Sequence, residues 1–254
     1  MKEKLYTIPL NDAIAAGDEC PFCYIERDLE QNLMDFVLGS GSSYMEADVR
    51  DMTDRAGFCR EHSRKMFEYG NTLGNAWILK TRLMRLNKEM AAEMKHFSTG
   101  KSSGGLFGKS KSNQSNNSLS TWIDSKQSTC YICDQFKEMY ARSLDSFLDL
   151  YVHEEDFRSR ILKSKGFCLT HFNDLCNIAT AKLNERQQQE FFPALFTLMQ
   201  ENMNRIFEDV SWLVEKFDYQ NQNADWKNSR DAIQRAMQKL NGSYPADPPY
   251  KMKK

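Results

Sequence analysis

Apolar residues recur at helical spacing through most of the chain, and the breaks between those runs divide it into blocks. After Cys23 they fall at Ile25, Leu29, Leu33, Phe36 and Val37, which predicts a helix over Tyr24 to Leu38. Gly39-Ser40-Gly41-Ser42-Ser43 turns the chain, and Tyr44 to Arg55 is expected to return as a second, shorter helix. Further helices are predicted from about Arg60 to Tyr69 and, after an interruption at Asn71-Thr72-Leu73-Gly74, from about Asn75 to His96. In the second half, Phe136, Met139, Tyr140, Leu144, Phe147 and Tyr151 mark an outward helix, and Glu154 to Leu162 a return. A helix including Leu175, Cys176 and Ile178 follows, with Cys176 expected as a buried apolar thiol. Leu183 to Phe217 is expected as one or two long helices. A last helix runs to Leu240, with Asn228 or Ser229 as its cap and Gly242 as its end. Near the start, Asn11 to Ala15 suggests one helical turn. No stretch reads as a strand, so the fold class expected is all-α.

Superimposed on this pattern is a repeat that carries chemistry. Cys20-Pro21-Phe22-Cys23 is answered by Gly57-Phe58-Cys59-Arg60-Glu61-His62. Cys130-Tyr131-Ile132-Cys133 is answered by Gly166-Phe167-Cys168-Leu169-Thr170-His171. The gap between Cys pair and third Cys is 35 residues in the first copy and 34 in the second. Three thiolates and one imidazole make the ligand set of a closed tetrahedral zinc site. A pair spaced i, i+3 can face one ion from the start of a helix, where free N–H groups and the dipole favour negative charge. The expectation is two zinc ions, one at Cys20, Cys23, Cys59 and His62, the other at Cys130, Cys133, Cys168 and His171. Each would pin the open end of a helical hairpin. The repeat is set against three other readings: a disulfide framework, a thioredoxin-like CxxC, and an iron–sulfur cluster with one His ligand. Nothing marks the chain as secreted, and no βαβ pattern surrounds either pair.

This organisation gives a first metal-binding repeat at 1–97, a linker at 98–127, a second repeat with added C-terminal helices at 128–245, and a tail at 246–254. From Ser98 to Ser120 the composition turns to Ser, Gly, Asn and Lys, the mark of a flexible tether. Gly104 to Ser110 faintly echoes a phosphate loop, but Ser103 stands where its first glycine belongs and no strand precedes it.

With the repeat in view, the chain resembles an uncharacterised bacterial family found mostly in Firmicutes and classed as a domain of unknown function. The stretches that carry the likeness are Tyr6 to Ala13, Glu19 to Cys23, Ser43 to Arg50, Gly57-Phe58-Cys59 and the second Cys/His set. Lys216 to Tyr219 and Trp226 to Ser229 complete it. Some members of that family are labelled automatically as ABC-transporter substrate-binding proteins. This chain has no signal peptide, lipid-attachment cysteine or two-lobed α/β pattern to match that label.

Charge and composition narrow the function. The formal net charge of −1 offers no general attraction to nucleic acid or an anionic membrane. No run approaches 18 apolar residues, and abundant cysteine without an export signal fits a cytoplasmic protein. Outside the Cys/His sets the polar candidates are Glu46, Asp48, Arg50 and Asp51, and Asp218, Tyr219, Asp225 and Lys227. The first four are expected as a salt-bridged helix face, the others as caps, and His96 and His153 as surface residues. No nucleophile–base pair stands out. The leading expectation is a zinc-stabilised helical protein that binds a protein or small-molecule partner between its repeats. The alternatives are a redox- or metal-responsive thiolate protein, and an enzyme or iron–sulfur electron carrier with a site between the repeats.

Overall fold

The periodic blocks form α-helices throughout the described part of the computed structural model, residues 7–41, 43–97 and 118–242, with the backbone alone at His96. These are α1 (Ile8–Ala15), α2 (Pro21–Leu38), α3 (Ala47–Ala56), α4 (Arg60–Tyr69), α5 (Thr72–His96) and α6 (Ser118–Gln127), followed by α7 (Tyr131–His153), α8 (Glu155–Leu162), α9 (Leu169–Lys182), α10 (Glu185–Glu215) and α11 (Ala232–Asn241). Two short 3₁₀ turns, Ser43–Met45 and Tyr219–Asn221, complete the set, and no strand occurs among the described residues. The fold is an all-α helical bundle, and no described helix is long and apolar enough to cross a membrane.

Local chemistry explains most boundaries. Asn71 caps α5 by accepting from Gly74 N at 2.9 Å, so the expected interruption becomes the first turn of the helix. Asn184 and Gln187 form a reciprocal capping box at the start of α10. α10 then continues through Pro193 as a single helix, with Phe191 and Leu195 on either side of the proline buried in the core. At α11 the expected caps are displaced. Asp231 holds the N-cap position, while Ser229 is buried and donates to Trp226 O at 2.7 Å. Residues 118–127, expected as the end of the linker, are the helix α6. Residues 98–117, with the Gly-Lys-Ser stretch, and the tail lie outside the described residues.

By packing, the chain forms two compact units. Among the described residues, the first comprises those up to Glu30 together with those from Lys137 on, and the second is Gln31–Phe136. α2 therefore begins in the first unit and ends in the second, and α7 does the reverse. The first unit's core is aromatic: Phe22, Phe147, Phe157, Phe167 and Phe191 are all nearly inaccessible, and Phe147 meets Phe22 and Phe167 at 5.4 and 5.8 Å between ring centres. The second unit's core is largely aliphatic, built from Leu33, Met34, Val37, Leu38, Val49, Met66 and Ile78.

The helix lengths overturn the expected hairpins. α2 has 18 residues and rises about 27 Å, but the returning α3 has 10 and covers about 15 Å. For α7 and α8 the counts are 23 and 8, or about 34 Å against about 12 Å. The first return falls short by nearly half and the second by about two thirds. The matched outward and returning arms that pairing within a copy needs are therefore absent from both copies.

Candidate metal centres

Each CxxC meets the Cys-x-x-His of the other copy. Cys20, Cys23, Cys168 and His171 form one group, called centre A here, and Cys59, His62, Cys130 and Cys133 form centre B. In each group the four donor atoms lie within 4.8 Å of one another. All eight expected ligand residues fall in these two groups, but the pairing within a copy, Cys20 and Cys23 with Cys59 and His62, is wrong, and so is its counterpart in the second copy. Centre A lies within the first unit and centre B within the second.

Two helix starts build each centre. In centre A, Cys20 and Cys23 straddle the first turn of α2, and Cys168 is the N-cap of α9 with its sulfur accepting from His171 N at 3.5 Å. In centre B, Cys130 and Cys133 open α7, and Cys59 is the N-cap of α4. The N-terminal ends of four helices are thereby aimed at thiols, which favours their thiolate forms. Glycine delivers the capping cysteine in both. Gly57 and Gly166 have φ of +68° and +74°, and a Cβ on Gly57 would also stand 2.8 Å from Arg82 Nη2. Arg82 occupies that space because it donates to the carbonyls of Asp54 and Arg55 at the end of α3.

The donor spacings fit one ion per centre. In centre A, His171 Nδ1 lies 3.1, 3.3 and 3.6 Å from the sulfurs of Cys168, Cys20 and Cys23. In centre B, His62 Nδ1 lies 3.2, 3.3 and 3.4 Å from those of Cys59, Cys130 and Cys133, and Cys59 and Cys133 are 3.9 Å apart. Around a tetrahedral zinc, with Zn–S about 2.3 Å and Zn–N about 2.0 Å, neighbouring donors stand roughly 3.5–3.8 Å apart. Both histidines present Nδ1 inward. Either group could hold a metal ion.

The titration behaviour points the same way. Burial works against the His171 imidazolium, yet the sulfurs of Cys168 and Cys20 and the Glu26 carboxylate hold its pKa up to about 12. Hydrogen bonds from Cys20 and Cys23 pull the Cys168 thiol far down, while its bond to Cys168 pushes Cys23 far up. In centre B burial would raise Cys130, but His62 and nearby backbone groups bring it down to about 6; burial, then the Cys130 sulfur, push Cys133 up to about 12. The only positive charge four such side chains can supply themselves is one imidazolium, and three sulfurs compete for it. A divalent cation satisfies all three at once.

The surroundings of the two centres differ. Centre A is sealed: Cys20, Cys23, Cys168 and His171 are at most 2 % exposed. Phe22 and Tyr140 flank His171 at 5.8 and 5.7 Å, and Tyr140 in turn donates to Asp174 at 2.8 Å. Glu26 Oε1 lies 3.1 Å from His171 Nε2, the ring nitrogen facing away from the sulfurs. α11 closes the remaining side. Its Lys239 ammonium, 1 % exposed, donates to the carbonyls of Glu19 and Lys165 and sits 3.4 Å from Glu19 Oε2, while Gly242 places its carbonyl against the Cys23 thiol. Glu19 is also paired with Arg205. Centre B is more open, with Cys59 and Cys133 partly exposed.

None of Glu26, Lys239 or Glu19 was singled out from sequence as part of a site, and Gly242 was expected only as the end of the last helix. Glu26 carried a usable signal, being three residues after Cys23 and so on the same helical face. Four of the other polar candidates, Asp51, Asp218, Asp225 and Lys227, serve local structure. Asp51 pairs with Arg55 and, at 3.1 Å, with Arg85. Asp218 caps the 3₁₀ turn through Gln220 N, Asp225 accepts from Lys227 N, and Lys227 stacks over Trp212 at 3.8 Å. His153 is exposed beside Asp149. Cys176 is half-buried rather than buried, and partial burial raises its pKa.

Comparison with known proteins then places the chain. A family model described as a family of unknown function, DUF6062, matches residues 1–247. The chain belongs to DUF6062. No curated protein and no solved structure matches it. The DUF6062 match spans both centres and every described residue from α1 to α11.

Proposed function

We propose that this DUF6062 chain binds two zinc ions, one in centre A and one in centre B, and that the ions are structural. The protein then works as a zinc-fastened helical interaction module in a reducing, cytoplasmic setting. The observation that carries this reading is the donor geometry: two groups of three sulfurs and one imidazole nitrogen, each within 4.8 Å. Such tight groups suit a single ion. A cluster of several irons would hold its protein ligands apart around its outer surface. Thiolate with imidazole favours zinc over harder cations such as magnesium or calcium.

Four protein ligands fill a tetrahedral sphere, so neither centre reserves a position for water or substrate, as a catalytic zinc does. The charge of each loaded centre is about −1, three thiolates against Zn²⁺. Helix starts offset it in both centres, and Lys239 adds a nearby cation at centre A. Each ion would bind a helix start from one sequence copy to a helix start from the other, so the ions hold the copies together.

Elemental analysis of anaerobically purified protein, with an absorption spectrum of the same sample, tests this. About two zinc per chain and no visible colour is the expected result. Iron with a brown band, or a fully folded chain without metal, overturns it.

A further inference from the structure

The two centres offer the same ligands to solvent very differently, and that difference has a chemical consequence. Every cysteine of centre A is buried, with Phe22 against the His171 ring and the Gly242 carbonyl at the α11 terminus against the Cys23 thiol. In centre B, Cys130 and His62 are buried, but Cys59 and Cys133 both reach the surface, on different helix starts, with their sulfurs 3.9 Å apart. A disulfide needs the two sulfurs to close to about 2.04 Å. Side-chain rotation of two cysteines already in contact supplies much of that movement.

We propose that Cys59 and Cys133 form a peroxide-reactive pair, and that their oxidation releases the ion of centre B while centre A keeps its own. This inference rests on the zinc reading above. In the first step one of the two thiolates attacks hydrogen peroxide, the O–O bond breaks, and sulfenic acid and hydroxide form. In the second the other thiolate attacks that sulfur, the S–O bond breaks, and a disulfide and a second hydroxide form. Two protons from solvent convert both hydroxides to water. The sulfurs lose two electrons and the peroxide oxygens gain them. Centre B is left with two ligands, Cys130 and His62, too few to hold a zinc ion tightly. A dithiol reductant with added zinc reverses the change.

The alternative site of oxidation is Cys176, which is also half-buried but belongs to neither Cys/His group. The test uses the full zinc-loaded chain and its Cys176→Ser variant, each titrated with hydrogen peroxide while released zinc is read with a metal-sensitive dye. Native mass spectrometry counts the ion retained, and peptide mapping under non-reducing conditions locates the disulfide. The expected result in both proteins is loss of one ion of two, a Cys59–Cys133 disulfide, and unmodified Cys20, Cys23 and Cys168. Simultaneous loss of both ions, retention of both, or a disulfide elsewhere overturns the proposal. A chain that carries no zinc before peroxide is added fails the zinc reading instead, so the two failures are distinct.

Discussion

Centres A and B hold the same ligands on the same kinds of helix start, yet the junction behind each is closed by different means. Behind centre B, the Thr129 hydroxyl donates to Ala56 O at 2.6 Å and Tyr131 N–H donates to Gly57 O at 2.9 Å. Counted from each CxxC, Glu19 stands where Thr129 stands, and Pro21 where Tyr131 stands. Proline has no N–H, so the backbone bond cannot form behind centre A. There the Lys239 ammonium reaches in from α11 and donates to Glu19 O and Lys165 O, and Lys165 matches Ala56 when counted from each Gly-Phe-Cys. One buried cation thus performs in the first unit what a hydroxyl and an amide perform in the second. The comparison teaches that a duplication can preserve its ligand sphere while the groups behind it come from outside the repeat.

The largest effects follow from the crossed pairing itself. Structural zinc sites contribute about 10–16 kcal/mol of apparent binding free energy at pH 7, so chelation is expected to cost both units most of their helicity, read by circular dichroism. Paired substitutions separate crossed from same-copy ligation. Cys20→Ser with Cys168→Ser removes two ligands from centre A and is expected to leave one zinc per chain. Cys20→Ser with Cys59→Ser strikes both centres and is expected to leave none tightly bound. If zinc counting gave the reverse order, ligation would follow the copies and the comparison would collapse.

Lys239 comes next. Its ammonium is 1 % exposed and faces Glu19, 2 % exposed, so Lys239→Met strips two carbonyls and a buried carboxylate of their cation. Breaking a buried charged pair in this way costs about 3–5 kcal/mol. Urea unfolding should place the loss in the first unit, with centre B still loaded. An unchanged midpoint would mean that Arg205 and Arg235 suffice for Glu19 and that the junction does not depend on α11.

The sequence exposed the ligand types, the helical class and many spans, α4 among them, where Arg60 to Tyr69 coincides with the observed helix. It did not expose the pairing, because two copies with gaps of 35 and 34 residues look alike whether a Cys pair meets its own Cys-x-x-His or the other's. The deciding quantity was helix length, about 27 Å out against about 15 Å back in the first copy, and it becomes sharp only with true helix ends. Lys239 was beyond reach for another reason. Its partners lie 220 and 74 residues away, and no local period links them.

A smaller effect concerns the histidines. Glu26 stands beside His171 Nε2, while the same repeat position in the second copy holds Phe136. A carboxylate there orients the imidazole and raises its basicity, and losing such a partner typically lowers metal affinity 10–100-fold. Glu26→Gln is therefore expected to weaken zinc binding at centre A alone, read by competition with a chelator. Equal weakening at both centres would show that the carboxylate acts on the fold rather than on His171.

The smallest expected effect tests the other side of the junction comparison. Thr129→Val keeps the side-chain shape and removes the hydroxyl that donates to Ala56 O. A hydrogen bond of this kind contributes about 1 kcal/mol. The neighbouring bond from Tyr131 N–H to Gly57 O stays, so the second unit should unfold at slightly lower urea with centre B intact. A loss as large as that of Lys239→Met would mean the hydroxyl alone holds this junction. The uncharged closure would then be as concentrated in one group as the charged one, and the contrast between the units would lie only in charge.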